Sequence, residues 1–250
     1  MLLSDRMRAV VGLVEPCDCI ADIGCDHGYV AMELISNQTC KKVIAMDINY
    51  GPLELAKSHI RDNKMTDFIE TRISDGTSAL IKGEANGIVC AGMGGKLIIH
   101  ILEEGKELIK DMQELILQPQ SEIDEVRAYL RENKLAIVKE DMVCEDGKYY
   151  PMMRVVNGDK NDTSVTLEEL SKEELQKQRR IEDTYGPYLL KKSHPVLKQY
   201  LLWQKENLDN IRGNLVSGRN PSPRQQTRIA ELDEALSDIV FCLYNYYKTN

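Results

Sequence analysis

Residues 21–30 read Ala21-Asp22-Ile23-Gly24-Cys25-Asp26-His27-Gly28-Tyr29-Val30, and this stretch decides the fold. Its short apolar approach and its glycines predict a strand, a tight turn and the start of a helix. Gly24 can adopt backbone angles closed to other residues, and its missing side chain lets a ligand approach the main chain. A strand-end acid, a glycine turn and a helix N-terminus together favour a nucleotide-like ligand.

The charge of this turn selects among such ligands. A helix N-terminus favours an anion, but Asp22 and Asp26 place two negative charges in the turn, and these repel a pyrophosphate. A ligand that carries positive charge near the acids fits better. S-adenosylmethionine has both an ammonium and a sulfonium, so the turn favours it.

Composition sets the class of protein. The chain has 250 residues, of which 42% are hydrophobic and 29% are charged, as in a globular protein of one domain or one domain with an appendage. No apolar run approaches the roughly 20 residues of a membrane span, and the first residues do not resemble a signal peptide. The seven cysteines form no disulfide framework, and Cys17 and Cys19 are too close for the usual zinc spacing. We expect a cytoplasmic protein with free thiols, no membrane association and no metal.

The net charge of −8 is unevenly placed. Residues 157–250 contain 14 Lys and Arg and 14 Asp and Glu, so the whole acidic excess lies in residues 1–156. This argues against a protein whose entire surface attracts nucleic acid, although it is compatible with a local basic patch.

The first 158 residues predict five strands separated by helices. The first predicted strand is the apolar segment that ends at Ile23, and the others are residues 43–47, 68–73, 87–91 and 114–119. The predicted helices begin near Ser4, Tyr29, Pro52, Lys96 and Ser121. This alternation indicates a parallel sheet with helices on both faces. Residues 136–145 and 148–156 then form two extended runs joined by Asp146-Gly147, a strong hairpin signal. An α/β doubly wound sheet that ends in an antiparallel hairpin is the Rossmann-like class I methyltransferase fold, whereas the dinucleotide-binding half of a dehydrogenase continues with parallel strands.

The composition changes after Gly158. Residues 159–164 are polar and predict a linker, 167–182 predict a helix, and a long helix runs from Pro187 to about Val216. The last helix has apolar residues spaced three and four apart, which is a heptad seam. Its members are Ile229, Leu232, Leu236, Ile239, Leu243 and Tyr246. We therefore predict a methyltransferase domain at 1–158 and an all-α coiled-coil domain at 159–250. The seam could close within one chain or between two, and we expect a monomer.

Polar or glycine-rich turns follow four of the predicted parallel strands. Ligands of such sheets bind outside the carboxyl ends of the strands, so these turns should converge. Asp47 lies about twenty residues beyond the first turn, where an acid can accept hydrogen bonds from two ribose hydroxyls. Asp75 can accept from an adenine amino group. The pattern predicts a site for an adenosine-containing cofactor, and its candidate residues are Asp22, Gly24, Cys25, His27, Gly28, Asp47, Ile48, Asp75, Gly76 and Gly92.

Four segments of the chain resemble the bacterial tRNA (adenine(22)-N1)-methyltransferase family. They are residues 22–28, Ala45-Met46-Asp47, Ser74-Asp75-Gly76 and Ala91-Gly92-Met93-Gly94-Gly95. The similarity runs from Leu3 through Pro151 and, more loosely, through the helical tail. The Asp-His-Gly turn and Gly-Met-Gly-Gly are its specific parts, since the general methyltransferase pattern often has a glycine-like residue where Asp26 stands. The resemblance implies a class I methyltransferase domain joined to a C-terminal coiled coil. It further implies transfer of a methyl group from S-adenosylmethionine to N1 of adenine 22 in the D-arm of tRNA.

The implied reaction requires little acid–base chemistry, because adenine N1 is an unprotonated lone pair near neutral pH. Alignment of N1 with the methyl group and the sulfur, and stabilisation of the charge passed to the base, would carry it. The expected catalytic residues are Asp26, Met93 and Gly94. Asp26 accepts from the exocyclic amine or binds the cofactor instead, and Met93 packs on the face of the base. The expected substrate contacts are Arg6, Tyr29, Gly95, Arg219 and Arg224.

Other interpretations stay open at this point. A class I methyltransferase that acts on another nucleic acid or a small molecule fits the same pattern, and so does a non-catalytic S-adenosylmethionine-binding adaptor. An NAD dehydrogenase is disfavoured by the antiparallel ending and the doubly acidic turn. His27 either contacts the cofactor or only begins a helix, and Cys25 and Cys90 are favoured as buried packing residues. The arginines of the tail face either tRNA phosphates or only solvent.

Overall fold

A computed structural model describes residues 3–158, 171–217 and 222–247. The chain divides into two compact units, Met1–Thr166 and Leu167–Asn250. The helices of the first unit are α1 Asp5–Val11, α2 Tyr29–Ser36, α3 Tyr50–Asp62, α4 Gly95–Glu104, α5 Lys106–Ile109 and α6 Ile123–Glu132. Its strands are β1 Cys17–Ile23, β2 Cys40–Asp47, β3 Ile69–Ile73, β4 Gly87–Met93, β5 Glu114–Pro119, β6 Leu135–Glu145 and β7 Lys148–Asn157. The second unit contains α7 Lys172–Tyr185, α8 Pro187–Lys191, α9 Pro195–Val216 and α10 Pro223–Tyr246.

The seven strands form one sheet in the order β3-β2-β1-β4-β5-β7-β6. Strands β1 to β5 pair in parallel, and β7 runs antiparallel to both β5 and β6. Asp146 and Gly147 join β6 to β7 with φ angles of 50° and 72°, the left-handed conformation that a tight hairpin turn requires. The predicted doubly wound sheet with an antiparallel ending is confirmed.

Alternate side chains of the central strands supply two separate cores. Ile20, Val43 and Val89 face the core that α1, α2 and α3 cover. Ala21 and Ile88, each next in sequence to one of these residues, face the core beneath α4 and α6. Because both faces are covered, the central strands are almost continuously apolar, and the polar residues at their ends stand out.

Helix α6 begins two residues beyond Ser121, near which the sequence predicts its start and where a serine could serve as the cap. The helix begins at Ile123, and Glu122 precedes it with a φ of 46°. The Ser121 hydroxyl donates to the Glu122 carboxylate, so it does not cap the helix. The Ser121 carbonyl oxygen accepts the Gly95 N–H at 3.1 Å. The segment before α6 is thus held by α4, a contact that the local sequence does not reveal.

The second unit contains one more helix break than was predicted. The predicted long helix is interrupted after α8, where Ser193 has a φ of 50° and Pro195 begins α9. Proline has no N–H to donate and disfavours helical angles in the residue before it. The predicted linker at 159–164 lies outside the described residues.

The helices of the second unit bury part of the predicted seam. Leu232 and Ile239 are buried, and α10 packs along α9. The Arg180 guanidinium pairs with the buried Asp238 carboxylate at 2.8 Å and ties α7 to α10. Among the described residues, no helix is long and apolar enough to cross a membrane.

Candidate functional site at the carboxyl edge of the sheet

The turn after β1 is held by β2 through its backbone amides. Gly24 and Cys25 both donate their N–H groups to the Met46 carbonyl, at 2.8 and 2.9 Å. The Asp26 N–H donates to Asp47 Oδ2 at 3.3 Å. Three successive amides of the turn are therefore engaged with β2 and are not offered to a phosphate. This arrangement agrees with the predicted preference for a cationic ligand.

Asp22 is a buried acid with an unpaired oxygen. Its residue is only 3% exposed, its carboxylate accepts the Ala31 N–H, and its Oδ2 atom is buried with no protein partner. Burial raises the pKa of Asp22 from 3.8 to about 7; the nearby Asp47 carboxylate adds to this rise, and the Ala31 N–H opposes it. A positively charged ligand beside Oδ2 would supply the missing partner and favour the ionised carboxylate.

Asp47 accepts hydrogen bonds from residues that follow β1, β2 and β3. Besides the Asp26 amide, its carboxylate accepts the Asn49 N–H through Oδ1 at 2.8 Å, and its carbonyl accepts the Ser74 N–H at 3.0 Å. Each carboxylate oxygen can accept a further hydrogen bond, so the side chain can still bind two hydroxyls. Asp75 follows Ser74 and is exposed. The structure thus brings the ends of β1, β2 and β3 together.

Three other predicted cofactor residues lie beside this edge. Ile48 follows Asp47 directly and is 58% exposed, which leaves its side chain free to cover a ligand. Gly76 has a φ of 52°, and a Cβ at this position would lie 3.2 Å from Ile101 Cγ1. Gly28 is the N-cap residue that precedes α2, with a φ of 76°, and its missing side chain makes room for Ala56 of α3. Backbone geometry and packing therefore account for both glycines.

The glycine-rich turn formed by residues 92–95, where the chain leaves β4, contacts the turn after β1. The Met93 methyl lies 2.5 Å from the point that a Cβ on Gly24 would occupy. Gly92 is exposed with a φ of 79°, and Gly94 is half-buried at the start of α4. The Gly92 N–H donates to Gln118 Oε1 at 3.1 Å. The two turns therefore form one continuous wall, and the buried Gln118 side chain stabilises it through its hydrogen bond to Gly92.

Gly95 is buried against the segment that precedes α6. A Cβ on Gly95 would lie 2.5 Å from the Ser121 carbonyl oxygen and 2.8 Å from that of Glu122. Packing alone therefore accounts for this glycine, and its predicted contact with the substrate stays a prediction.

Replacing Gly95 with alanine is expected to lower the free energy of unfolding by about 2–3 kcal/mol, because two carbonyl oxygens must move. Gly51 of α3 provides the matched control, because no atom beyond its own helix backbone and chain neighbours lies within 4 Å of its would-be Cβ. Gly51→Ala should leave stability unchanged or raise it by up to about 1 kcal/mol. Urea denaturation measures both variants, and equal stability of the two would contradict the packing argument.

Three rings cluster where α2 begins. Tyr29 stacks on His59 with centroids 5.1 Å apart, and His27 lies 5.8 Å from Tyr29. His59 Nδ1 lies 3.1 Å from the His27 carbonyl oxygen, and His27 Nε2 lies 3.6 Å from Asp26 Oδ1. Asp26 has a φ of 49°, and its side chain is 68% exposed. His59 was not among the predicted site residues, and it contacts both rings of the turn.

Arg6 lies where α1 meets the β6–β7 hairpin. Its guanidinium stacks over the Tyr150 ring at 4.8 Å, and its Nε is buried without a partner. The neighbouring Met7 methyl lies 3.9 Å from the would-be Cβ of Gly92. Helix α1 therefore borders the glycine-rich turn. Arg224 is exposed on α10 in the second unit, and Arg219 lies outside the described residues.

The buried thiol groups of Cys25 and Cys90 pack into the two cores of the first unit. Burial raises the pKa of both Cys25 and Cys90 well above the usual range of a thiol, and the charge of Asp22 adds to the rise. Both stay neutral near pH 7 and are poor nucleophiles. In the described ranges, no group of three or more His, Cys, Asp and Glu side chains could hold a metal ion.

The chain is similar in sequence to known proteins of one family. Residues 3–153, more than half of the chain, match the family model of a methyltransferase domain. Over 159 residues the chain is 36% identical to the tRNA (adenine(22)-N(1))-methyltransferase of Bacillus subtilis (strain 168), and the match covers 64% of this chain and 67% of that protein. The chain belongs to the tRNA (adenine(22)-N1)-methyltransferase family.

Solved structures extend the likeness through the helical tail. The crystal structure of the B. subtilis m1A22 tRNA methyltransferase TrmK is 28% identical with a TM-score of 0.80, and the match covers 97% of this chain and 99% of that one. Streptococcus pneumoniae Sp1610 in complex with S-adenosyl-L-methionine is 27% identical with a TM-score of 0.79, over 97% of this chain and 100% of that one. The match therefore includes the second unit as well as the methyltransferase domain.

Proposed function

We propose that this chain transfers the methyl group of S-adenosylmethionine to N1 of adenine 22 in tRNA. One observation carries the proposal. The turn after β1 presents the buried, unpaired Oδ2 of Asp22 beside three amides that are already engaged with β2. Such a turn favours a cationic ligand over a pyrophosphate. Membership in the family supports tRNA adenine N1 as the acceptor.

The carboxylates at this edge fit S-adenosylmethionine, which supplies a methyl group on a positively charged sulfur. Asp22 would pair with the cationic amino-acid part of the cofactor, and Asp47 would accept from its ribose hydroxyls. The exposed Asp75 would accept from the adenine amine, and Ile48 would cover the ring. Gly24, with a φ of 70°, would let the cofactor approach the backbone. The remaining proposed binding residues are His27, Cys25, Gly28, Gly76 and Gly92.

The substrate base would enter beside the glycine-rich turn. Met93 and Gly94 would form one wall of the base pocket, and the exposed Asp26 carboxylate would accept from the exocyclic amine as the ring gains positive charge. Arg6 and Tyr29 border this region from α1 and α2, where they would contact the RNA. The amine contact at Asp26 is favoured over a cofactor contact because its side chain is exposed, unlike the buried Asp22.

The second unit would bind tRNA phosphates through arginines near the end of α9 and the start of α10. Replacing Arg219 and Arg224 together with alanine should weaken tRNA binding and lower the slope of log K against log salt by about 1 to 2. Filter binding between low and moderate salt measures the slope, and an unchanged slope contradicts the contact.

Because Leu232 and Ile239 are buried within one chain, we propose that the enzyme acts as a monomer.

Methyl transfer from labelled S-adenosylmethionine tests the function. The protein is incubated with unmodified tRNA, with the same tRNA carrying guanine at position 22, with free adenosine and with a bulk protein sample. We expect label only in the first tRNA, at N1 of adenine 22. Label in adenosine or at another site would favour a different class I methyltransferase, and cofactor binding with no acceptor would favour an adaptor.

A further inference from the structure

Gln118 is a buried polar side chain in an apolar strand. It is 0% exposed and follows Leu115, Ile116 and Leu117, which are also buried. Both ends of its amide are bonded to backbone: Oε1 accepts the Gly92 N–H at 3.1 Å, and Nε2 donates to the Pro119 carbonyl at 3.1 Å. A buried amide is stable only when such partners are present. The first bond joins the end of β5 to Gly92, and the second stays within β5 and orients the amide.

The β4–β5 ladder explains why the turn needs this side chain. Ala91 pairs with Gln118 and Met93 pairs with Pro119, so the ladder skips Gly92. Gly92 has a φ of 79°, and proline has no N–H to continue the ladder. The ladder leaves the Gly92 N–H unpaired, and the Gln118 side chain supplies its acceptor within the protein. Gln118 therefore stabilises the bulge that turns the chain out of β4.

The bulge sets the position of the wall opposite the cofactor turn. Met93 follows Gly92, its methyl contacts the Gly24 turn, and its carbonyl accepts the Gln120 N–H at 2.8 Å. A shift of Gly92 would displace Met93 and Gly94 together. A displacement of about 1 Å in a reacting geometry can cost about a hundredfold in rate.

We infer that Gln118 is a positioning residue for methyl transfer: its amide fixes the Gly92 bulge so that Met93 and Gly94 hold the acceptor base in line with the methyl group. This inference rests on the proposed function and adds to it a residue buried behind the turn. A glutamine is needed because one side chain must accept at one end and donate at the other. Leucine has a similar size and does neither.

Gln118→Leu is expected to lower kcat for tRNA methylation about tenfold or more, while the Kd for S-adenosylmethionine changes less than about threefold. The acids on β1, β2 and β3 that would hold the cofactor are untouched. Gln113→Leu is the matched control, since Gln113 directly precedes β5 and is exposed. Rates are normalised to the folded fraction measured by circular dichroism, because a purely structural role would lower that fraction and leave kcat of the folded enzyme unchanged.

Gln118→Glu provides a second test that does not depend on Gln118→Leu folding. The introduced carboxyl group, when protonated, can accept from Gly92 and donate to Pro119, whereas the ionised form cannot donate. Burial beside a carbonyl favours the protonated form. The kcat of this variant relative to wild type should therefore be higher at about pH 6 than at about pH 8.5.

Two results overturn the inference. One is a relative kcat of Gln118→Glu that does not change with pH, and the other is a kcat of Gln118→Leu within about twofold of wild type. Failure of the wild-type enzyme to methylate tRNA would instead overturn the proposed function, so the two failures are distinguishable.

Discussion

Asp22→Asn is expected to weaken binding of S-adenosylmethionine about 100-fold near pH 7.5. Asparagine keeps an oxygen that can accept the Ala31 N–H, but it removes the buried negative charge beside the unpaired site. The cationic cofactor would then lose its proposed charge partner. Isothermal titration calorimetry without tRNA measures the Kd directly, so the result does not depend on the acceptor.

The affinity of the wild-type enzyme should also depend on pH in one direction. The pKa of Asp22 is about 7 without ligand, and the proposed charge pair would require the ionised carboxylate. Protonation therefore competes with binding below that pH, and the Kd should fall roughly tenfold for each unit of rising pH up to about 7. Asp22→Asn should abolish this slope.

Asp18→Asn is the matched control for Asp22. Asp18 lies on the same strand, but its side chain is 73% exposed and pairs with Lys41 at the amino end of β1. The control should keep the wild-type Kd and its pH slope. If Asp22→Asn binds the cofactor as tightly as the control, then Asp22 is a structural acid and not a ligand.

Asp26→Asn is expected to cut turnover at saturating S-adenosylmethionine by at least about tenfold. Methyl transfer leaves positive charge on the adenine ring, and an asparagine oxygen stabilises that charge less well than a carboxylate. Asparagine is chosen because Asp26 has a φ of 49°, a left-handed conformation that asparagine tolerates. Single-turnover methylation of tRNA measures the effect on the chemical step.

Asp146→Asn is the control for Asp26, because Asp146 is an exposed turn residue with nearly the same φ of 50° in the β6–β7 hairpin. It should methylate tRNA at the wild-type rate. Unchanged turnover of Asp26→Asn would remove Asp26 from the mechanism. Weaker cofactor binding with normal turnover would assign Asp26 to the cofactor instead of the base.

Local signals in the sequence predict most of the fold. Asp146-Gly147 marks the hairpin, and an acid or a glycine marks the end of most parallel strands, because buried strands are apolar up to the point where they leave the sheet. The errors fall where tertiary contacts or a proline override periodicity. Pro195 divides a helix that its apolar spacing makes continuous, and the Gly95 contact holds Ser121 out of the capping position.

The candidate site is predictable only in part, for a related reason. The acids Asp22 and Asp47 are visible because each ends an apolar run. Gln118 and His59 are harder to find, since their bonds reach residues 26 and 32 positions away. Gln118 has one recognisable feature in the sequence, because it is a polar residue between an apolar strand and a proline. His59 left none, because its position on α3 becomes meaningful only once α3 packs beside the first turn.

The unpaired carboxylate of Asp22 also couples the stability of the folded protein to the binding of its cofactor. Its pKa is raised from 3.8 to about 7 in the folded chain, so the folded state binds this proton more tightly than the unfolded state. The free energy of unfolding contributed by Asp22 therefore falls as pH rises through that range and is lost above it. S-adenosylmethionine bound as proposed would give Asp22 a charge partner and would stabilise the folded state by mass action. When S-adenosylmethionine is scarce, a larger fraction of the molecules should be unfolded and therefore accessible to proteases. The abundance of the enzyme should then follow the supply of its methyl donor.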